Sequence, residues 1–252
     1  MSTFAREAFI VFNRQMRMNL RNPAWVIIGV MQPVLYLVLF GPLLKPLVAQ
    51  FGATNAYTFL VPGLLVQLGM FGAMFAGFGL IAEWREGVIE AERVTPASRT
   101  ALLVGRLLRD LVQIFVQALI LVALGTAMGM EPSWGGVVIG IGITLLIGTA
   151  CAAASNAVAL TTKSEDVMAP LLNMVLMPVL LLSGIMLPMT LGPQWLQTLS
   201  DLVPFRWIVD AVRTSFAGDF AGDALAWGIG WAAVLSVLGI WWGTATFRKE
   251  NA

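Results

Sequence analysis

The sequence predicts an all-α polytopic membrane protein with six transmembrane helices, an N-terminal amphipathic interface helix, and short re-entrant outer helices between spans 5 and 6. Three observations carry this. Of 252 residues, 58% are apolar and 12% charged, against about 45–50% and about 25% for a soluble domain. Charged side chains are missing from Asn22 to Leu44, Pro46 to Ala82, Leu111 to Met130, Pro132 to Thr162, Val167 to Ser200 and Ala224 to Phe247. Each window reaches the roughly 20 residues a helix needs to cross about 30 Å of hydrocarbon. The nine tryptophans, finally, fall at the ends of these windows, where an indole prefers the headgroup region.

Residues 1–22 precede the first span and contain no apolar core of the signal-peptide kind. At 100° per residue, Arg6, Arg14, Arg17 and Arg21 share one arc, with Phe4, Ala8, Phe9, Val11, Phe12 and Met16 opposite and Ile10 misplaced. Such a helix lies in the inner interface with its arginines toward lipid phosphates. Two readings stand: a membrane anchor alone, or an anchor whose cytosolic face also touches a partner.

The spans are predicted at about 24–44, 57–82, 107–130, 134–162, 167–187 and 225–247. Pro33 and Pro178 are expected to kink spans 1 and 5, and their similar contexts, Gln-Pro-Val-Leu and Met-Pro-Val-Leu, allow an internal repeat. Gly125-xxx-Gly129 and Gly136-xxx-Gly140 permit close packing. Twelve Lys and Arg fall on the side that carries the termini and three on the other, so both termini are predicted to be cytoplasmic. Trp25, Trp84, Trp241 and Trp242 then sit at inner ends; Trp134, Trp195, Trp207, Trp227 and Trp231 sit at or near outer ones.

Residues 83–106 form the largest cytosolic feature. A loop that merely obeyed the positive-inside rule would be basic only, yet this one carries Glu83, Glu86, Glu90 and Glu92 among its arginines. That mixture favours protein docking. Thr95 is expected to cap a helix, with Pro96 in its first turn, that runs on into span 3.

The outer stretch 189–223 holds two segments of about 10–13 residues, each opened by a proline, Pro193 and Pro204. Both are too short to span. In the second, Phe205, Ile208, Val209, Val212 and Phe216 share a face, while Arg206–Asp210 and Asp210–Arg213 have pairing distances along a helix. Inside the spans, Gln32, Gln67, Gln113, Gln117, Asn156 and Asn173 are interhelical hydrogen-bonding groups or pathway residues.

The residue inventory limits the function. The net charge of +1 offers no basic field for nucleic acid, and with no histidine and only Cys151 the usual zinc sites are excluded. No acid or histidine is expected at membrane depth, so a proton relay or an intramembrane catalytic constellation cannot be assembled in the usual ways. A passive channel would want a charged ring. There is also no Gly-rich loop with Lys-Ser/Thr to cradle ATP phosphates. Active movement would need energy from another chain, and 83–110 is where that chain would dock. A non-transporting scaffold or assembly factor is the alternative.

The chain resembles an ABC-2 type exporter permease, close to bacterial drug-resistance and polysaccharide or lipid export permeases. The resemblance runs through Arg21-Asn22-Pro23, Gln32-Pro33 and Phe40-Gly41. It continues in Glu86-Gly87-Val88, Pro96-Ala97-Ser98-Arg99 and Gly105-Arg106. It ends in Ser183-Gly184, Leu187-Pro188, Trp195-Leu196, Pro204 and Asp210-Ala211-Val212-Arg213. It implies one transmembrane domain over 1–252, in the bacterial inner membrane. A coupling helix around Glu83, Arg85, Glu86, Gly87, Glu90, Glu92 and Arg93 would sit in a groove of the ATPase, with the N-terminal helix as connecting helix beside it. The paired helices within 189–216, carrying Pro193, Trp195, Pro204, Arg206, Asp210 and Arg213, would close an outer gate; Gln32, Gln67, Asn156 and Asn173 are candidate pathway residues. The implied partners are two ATP-binding subunits, a second permease, identical or paralogous, and membrane lipids. No cofactor is expected on this chain, ATP and magnesium residing on the partner. The short loop after span 1 leaves no room for a large external cap.

Overall fold

The computed structural model describes residues 3–21, 24–48, 55–93 and 98–250; among these the chain is helical and contains no strand. Thr95 and Pro96, Asn22 and Pro23, and the side chains of Trp25, Glu92 and Arg93 lie outside the described residues. Eleven α-helices follow in order among the described residues: α1 (Thr3–Arg21), α2 (Ala24–Leu44), α3 (Ala56–Met74), α4 (Ala76–Arg85), α5 (Val88–Arg93), α6 (Arg99–Ala127), α7 (Trp134–Thr162), α8 (Glu165–Leu182), α9 (Gln194–Asp201), α10 (Pro204–Phe216) and α11 (Asp223–Glu250). Six spans are long and apolar enough to cross a membrane: α2, the α3–α4 pair, α6, α7, α8 and α11.

The second span differs from the unbroken helix expected. It is interrupted at Phe75, which no proline explains. The cause is Ser155 on α7: its hydroxyl accepts from the Gly77 backbone N–H at 3.1 Å and donates to the Met74 carbonyl. A hydroxyl that inserts into the backbone ladder replaces the hydrogen bonds the break removes. Conversely, Pro33 and Pro178 do not end their helices. The expected start of the third helix also moves, because the observed cap is Ser98, which accepts from the Ala101 N–H. Span 5 stops at Leu182 instead of about 187, and Gly184 follows at φ 72°.

The core is built around α7, which packs along α11, α3, α10, α4 and α6. Small residues set the closest approaches. A Cβ at Gly239 would lie 2.6 Å from the Ala150 carbonyl oxygen, and one at Gly136 would lie 1.8 Å from that of Ser215. Close backbone packing of this kind is how helices associate without help from water. The Gly136-xxx-Gly140 spacing therefore serves α10, which places Ile208, Val209, Ala211, Val212 and Phe216 in the core between α3, α7 and α11.

The helix α1 lies across α6, not wholly in lipid as its two-faced pattern suggests. Ala8, Val11 and Gln15 are buried, whereas Phe4, Phe9 and Ile10 are exposed together with Arg6, Arg14, Arg17 and Arg21. Gly105 permits this contact, since a Cβ there would meet Val11 at 2.7 Å and the Ala8 carbonyl oxygen at 2.8 Å. The Glu7 carboxylate accepts from the Ser98 N–H at 2.9 Å, which ties α1 to the start of α6.

Candidate functional site

At the α1 end of the bundle, span 2 ends in an elbow. The helix α4 ends at Arg85, Gly87 turns the chain at φ 75°, and α5 follows, packed against α4, with Ile89 buried. A left-handed turn favours glycine because any Cβ would crowd the following carbonyl. Glu86 and Glu90 are exposed on this elbow, and Arg85, also exposed, pairs with Glu165 of α8 at 3.0 Å.

Glu83 differs from the docking role expected of it, for it turns inward. Its carboxylate is buried, receives Arg106 at 2.7 Å from Nη2 and 3.2 Å from Nε, and accepts from the Gln15 side-chain amide. One turn along α6, Arg109 pairs with buried Asp110 at 2.7 Å. The expectation that no acid is buried is thereby corrected. Both carboxylates flank the apolar windows in sequence and look solvent-facing there, but α1 covers them, and each has an arginine partner that offsets its desolvation. Phe247, near the end of α11, stacks under the Arg106 guanidinium at 6.0 Å. Four helices, α1, α4, α6 and α11, thus meet at one ion cluster. Gln15 belongs to it and was missed; its i,i+4 and i,i+7 spacing from Val11 and Ala8 is the signal that could have found it.

At the opposite end, α9 and α10 form the expected hairpin. Arg206 pairs with Asp201 and, at 3.7 Å, with Asp210; Trp195 is exposed on α9. Arg213 has the richer environment. Its guanidinium donates to the carbonyls of Gly184 at 2.8 Å, Ile185 at 2.9 Å and Phe59 at 3.3 Å, and lies 4.0 Å from the Phe59 ring. Burial pulls its pKa down to about 10, against the attraction of Asp210, so it carries its charge at neutral pH. The hairpin is thereby bolted to the start of span 2 and the turn after span 5.

Of the four pathway candidates, Gln32 and Gln67 line one cavity, and Asn156 and Asn173 lie away from it. Gln32, exposed, donates to the Tyr36 hydroxyl at 3.2 Å, and Asn173, also exposed, donates to the Ala169 carbonyl. Asn156 is buried in α7. Gln67 is buried in α3 beside a cavity of about 100 Å³ that Gln32 also lines. Among the described residues no group of three or more His, Cys, Asp and Glu side chains could hold a metal.

Known proteins share this sequence pattern. The chain is 25% identical over 214 residues to a protein of Cyanophora paradoxa named as the transport permease ycf38, covering 83% of this chain and 74% of that one. It is 26% identical over 199 residues to the daunorubicin resistance ABC transporter permease protein DrrB1 of Streptomyces coeruleorubidus, covering 78% and 70%. Identity is also 26% over 185 residues to the Escherichia coli protein named "Probable multidrug ABC transporter permease YbhR", covering 69% of this chain and 47% of that protein. The ABC-2 type transporter family matches residues 6–217, from α1 through the α9–α10 hairpin. The chain belongs to that family, as the membrane subunit of an ABC transporter.

Proposed function

We propose that this permease exports an amphiphilic, lipid-like or drug-like molecule from the cytoplasm, driven by ATP hydrolysis on a separate subunit. The observation that carries the reading is the elbow itself: exposed Glu86 and Glu90 stand on a joint whose base is the buried Glu83–Arg106 pair. A docking surface transmits force only if its mount is rigid, and a buried, doubly hydrogen-bonded ion pair resists bending. Two ATPases closing on ATP would push two such elbows, each of which moves spans 2 and 3 together. The α9–α10 hairpins at the far end would then part. ATP and magnesium stay on the ATPases, and this chain supplies no catalytic group and holds no cofactor of its own.

Drug-resistance and multidrug permeases among the relatives support export and an amphiphilic cargo. The charge asymmetry of the connections supports cytoplasmic termini in a bacterial inner membrane. The permease would act as a pair with a second copy or a paralogue, among membrane lipids.

Affinity purification of the tagged chain from its native membrane tests this. A vanadate-sensitive ATPase should accompany the wild type and be lost from the Glu86→Lys, Glu90→Lys variant. Retention by that variant moves the docking surface elsewhere; no ATPase under mild extraction sinks the exporter and favours a scaffold.

A further inference from the structure

The bundle contains a polar orphan in an apolar setting. Gln67 on α3 is 1% exposed, and neither its amide nitrogen nor its carbonyl oxygen has a hydrogen-bond partner. Burying an unpaired amide costs on the order of 1–3 kcal/mol, so evolution would replace it with leucine unless something else satisfies it. Gln67 borders the cavity between α2, α3 and α6, whose other walls include Leu68, Phe71 and Phe75. Gly72, Phe75 and Gln113 line this cavity and also a second one of about 400 Å³ beneath α1, so the two adjoin. The larger one is walled by Glu83, Glu86, Arg109 and Asp110. Glu83 and Asp110 have arginine partners, yet one Asp110 carboxylate oxygen, Oδ2, is buried without a hydrogen-bond partner and is left to face a positive donor on that wall.

We propose that these adjoining cavities open into one binding site within a single permease chain for a planar amphiphile with a positive end. The charged vestibule receives the positive end and Phe71 and Phe75 flank the apolar body. The Gln67 amide pairs with a hydrogen-bonding group on that body. A site of this kind, mostly apolar with a few convergent polar groups, has the general character of small-molecule pockets. The proposal rests on the transport reading above and deepens it by naming where cargo sits and what chemistry is selected. ATPase co-purification tests that reading without any ligand, so the two fail separately.

The probe is rhodamine 6G, which combines fused rings, N–H donors, an ester carbonyl and one positive charge. The full-length chain in nanodiscs is titrated by fluorescence polarisation, with empty nanodiscs subtracted. Wild type should bind saturably. Gln67→Leu, which removes both hydrogen-bonding atoms at nearly constant volume, should weaken binding about tenfold while the thermal midpoint holds or rises. Gly72→Leu should abolish binding: a Cβ there meets nothing closer than 3.6 Å, so the backbone tolerates it while the side chain fills the junction. No saturable binding by wild type, or binding that either variant leaves unchanged, overturns the proposal.

Discussion

Glu83 and Arg106 lock spans 2 and 3 together: one carboxylate oxygen takes two guanidinium hydrogen bonds, at 2.7 and 3.2 Å, in a site where both side chains are nearly out of contact with water. The pair is 23 residues apart in sequence and joins the last turn of α4 to the second turn of α6. Removing one partner leaves a buried charge without compensation, which costs about 3–5 kcal/mol. Glu83→Ala and Arg106→Ala should each lower the unfolding midpoint by that order. The double replacement Glu83→Leu, Arg106→Met should lose much less. Cys151, the sole cysteine and buried, reports the midpoint through labelling by a thiol-reactive dye on heating. Equal losses in the single and double variants would mean that the pair is incidental.

The break in span 2 should depend on one hydroxyl. In Ser155→Ala the Gly77 N–H loses its acceptor in a buried setting, at a cost of about 1–3 kcal/mol. Ser155→Thr keeps the oxygen and should lose less in the same thiol-labelling assay. If alanine and wild type melt together, the break is held by packing alone.

The bolt at the opposite end is directional. Lysine keeps the charge of Arg213 but not the planar fork that reaches three carbonyls at once. Arg213→Lys should therefore cost about 1–3 kcal/mol and Arg213→Met more. Limited proteolysis should reveal this first in the 183–203 region, which the bolt retains. The linkage sign is simple here. The folded pKa of about 10 is depressed from the ordinary guanidinium value, yet both states stay protonated between about pH 6 and about pH 8, so this group gives no pH dependence to stability there. A slope across that range that disappears in Arg213→Met would contradict the assignment.

Much of this architecture is legible in the residue order because the bilayer is so restrictive a solvent. An 18-residue apolar run without charges has one structural outcome in lipid, since every backbone group must be satisfied inside its own helix. That constraint placed span 4 at Trp134–Thr162 as expected and the hairpin helix at Pro204–Phe216, where proline opens the helix. The elbow was visible too, through the mixed charge of 83–106. Its interior was not. Glu83 and Glu86 are alike in sequence, and only the approach of α1 and α6 makes one a buried ion-pair partner and leaves the other exposed.

The division follows the range of the forces. Burial in lipid acts on each segment separately, so hydropathy, prolines and charge asymmetry suffice for the class, the number of spans and the short helices that cannot cross. Pairing and packing act between segments distant in sequence. Ser155 entering the backbone of span 2, Gln15 reaching Glu83, Arg213 gathering three carbonyls, and Gln67 facing a cavity unpaired all follow from which helices come together. A side chain's partner is a property of the assembled bundle, because hydrogen bonds act over about 3 Å while the residues that meet here stand up to 154 positions apart along the chain.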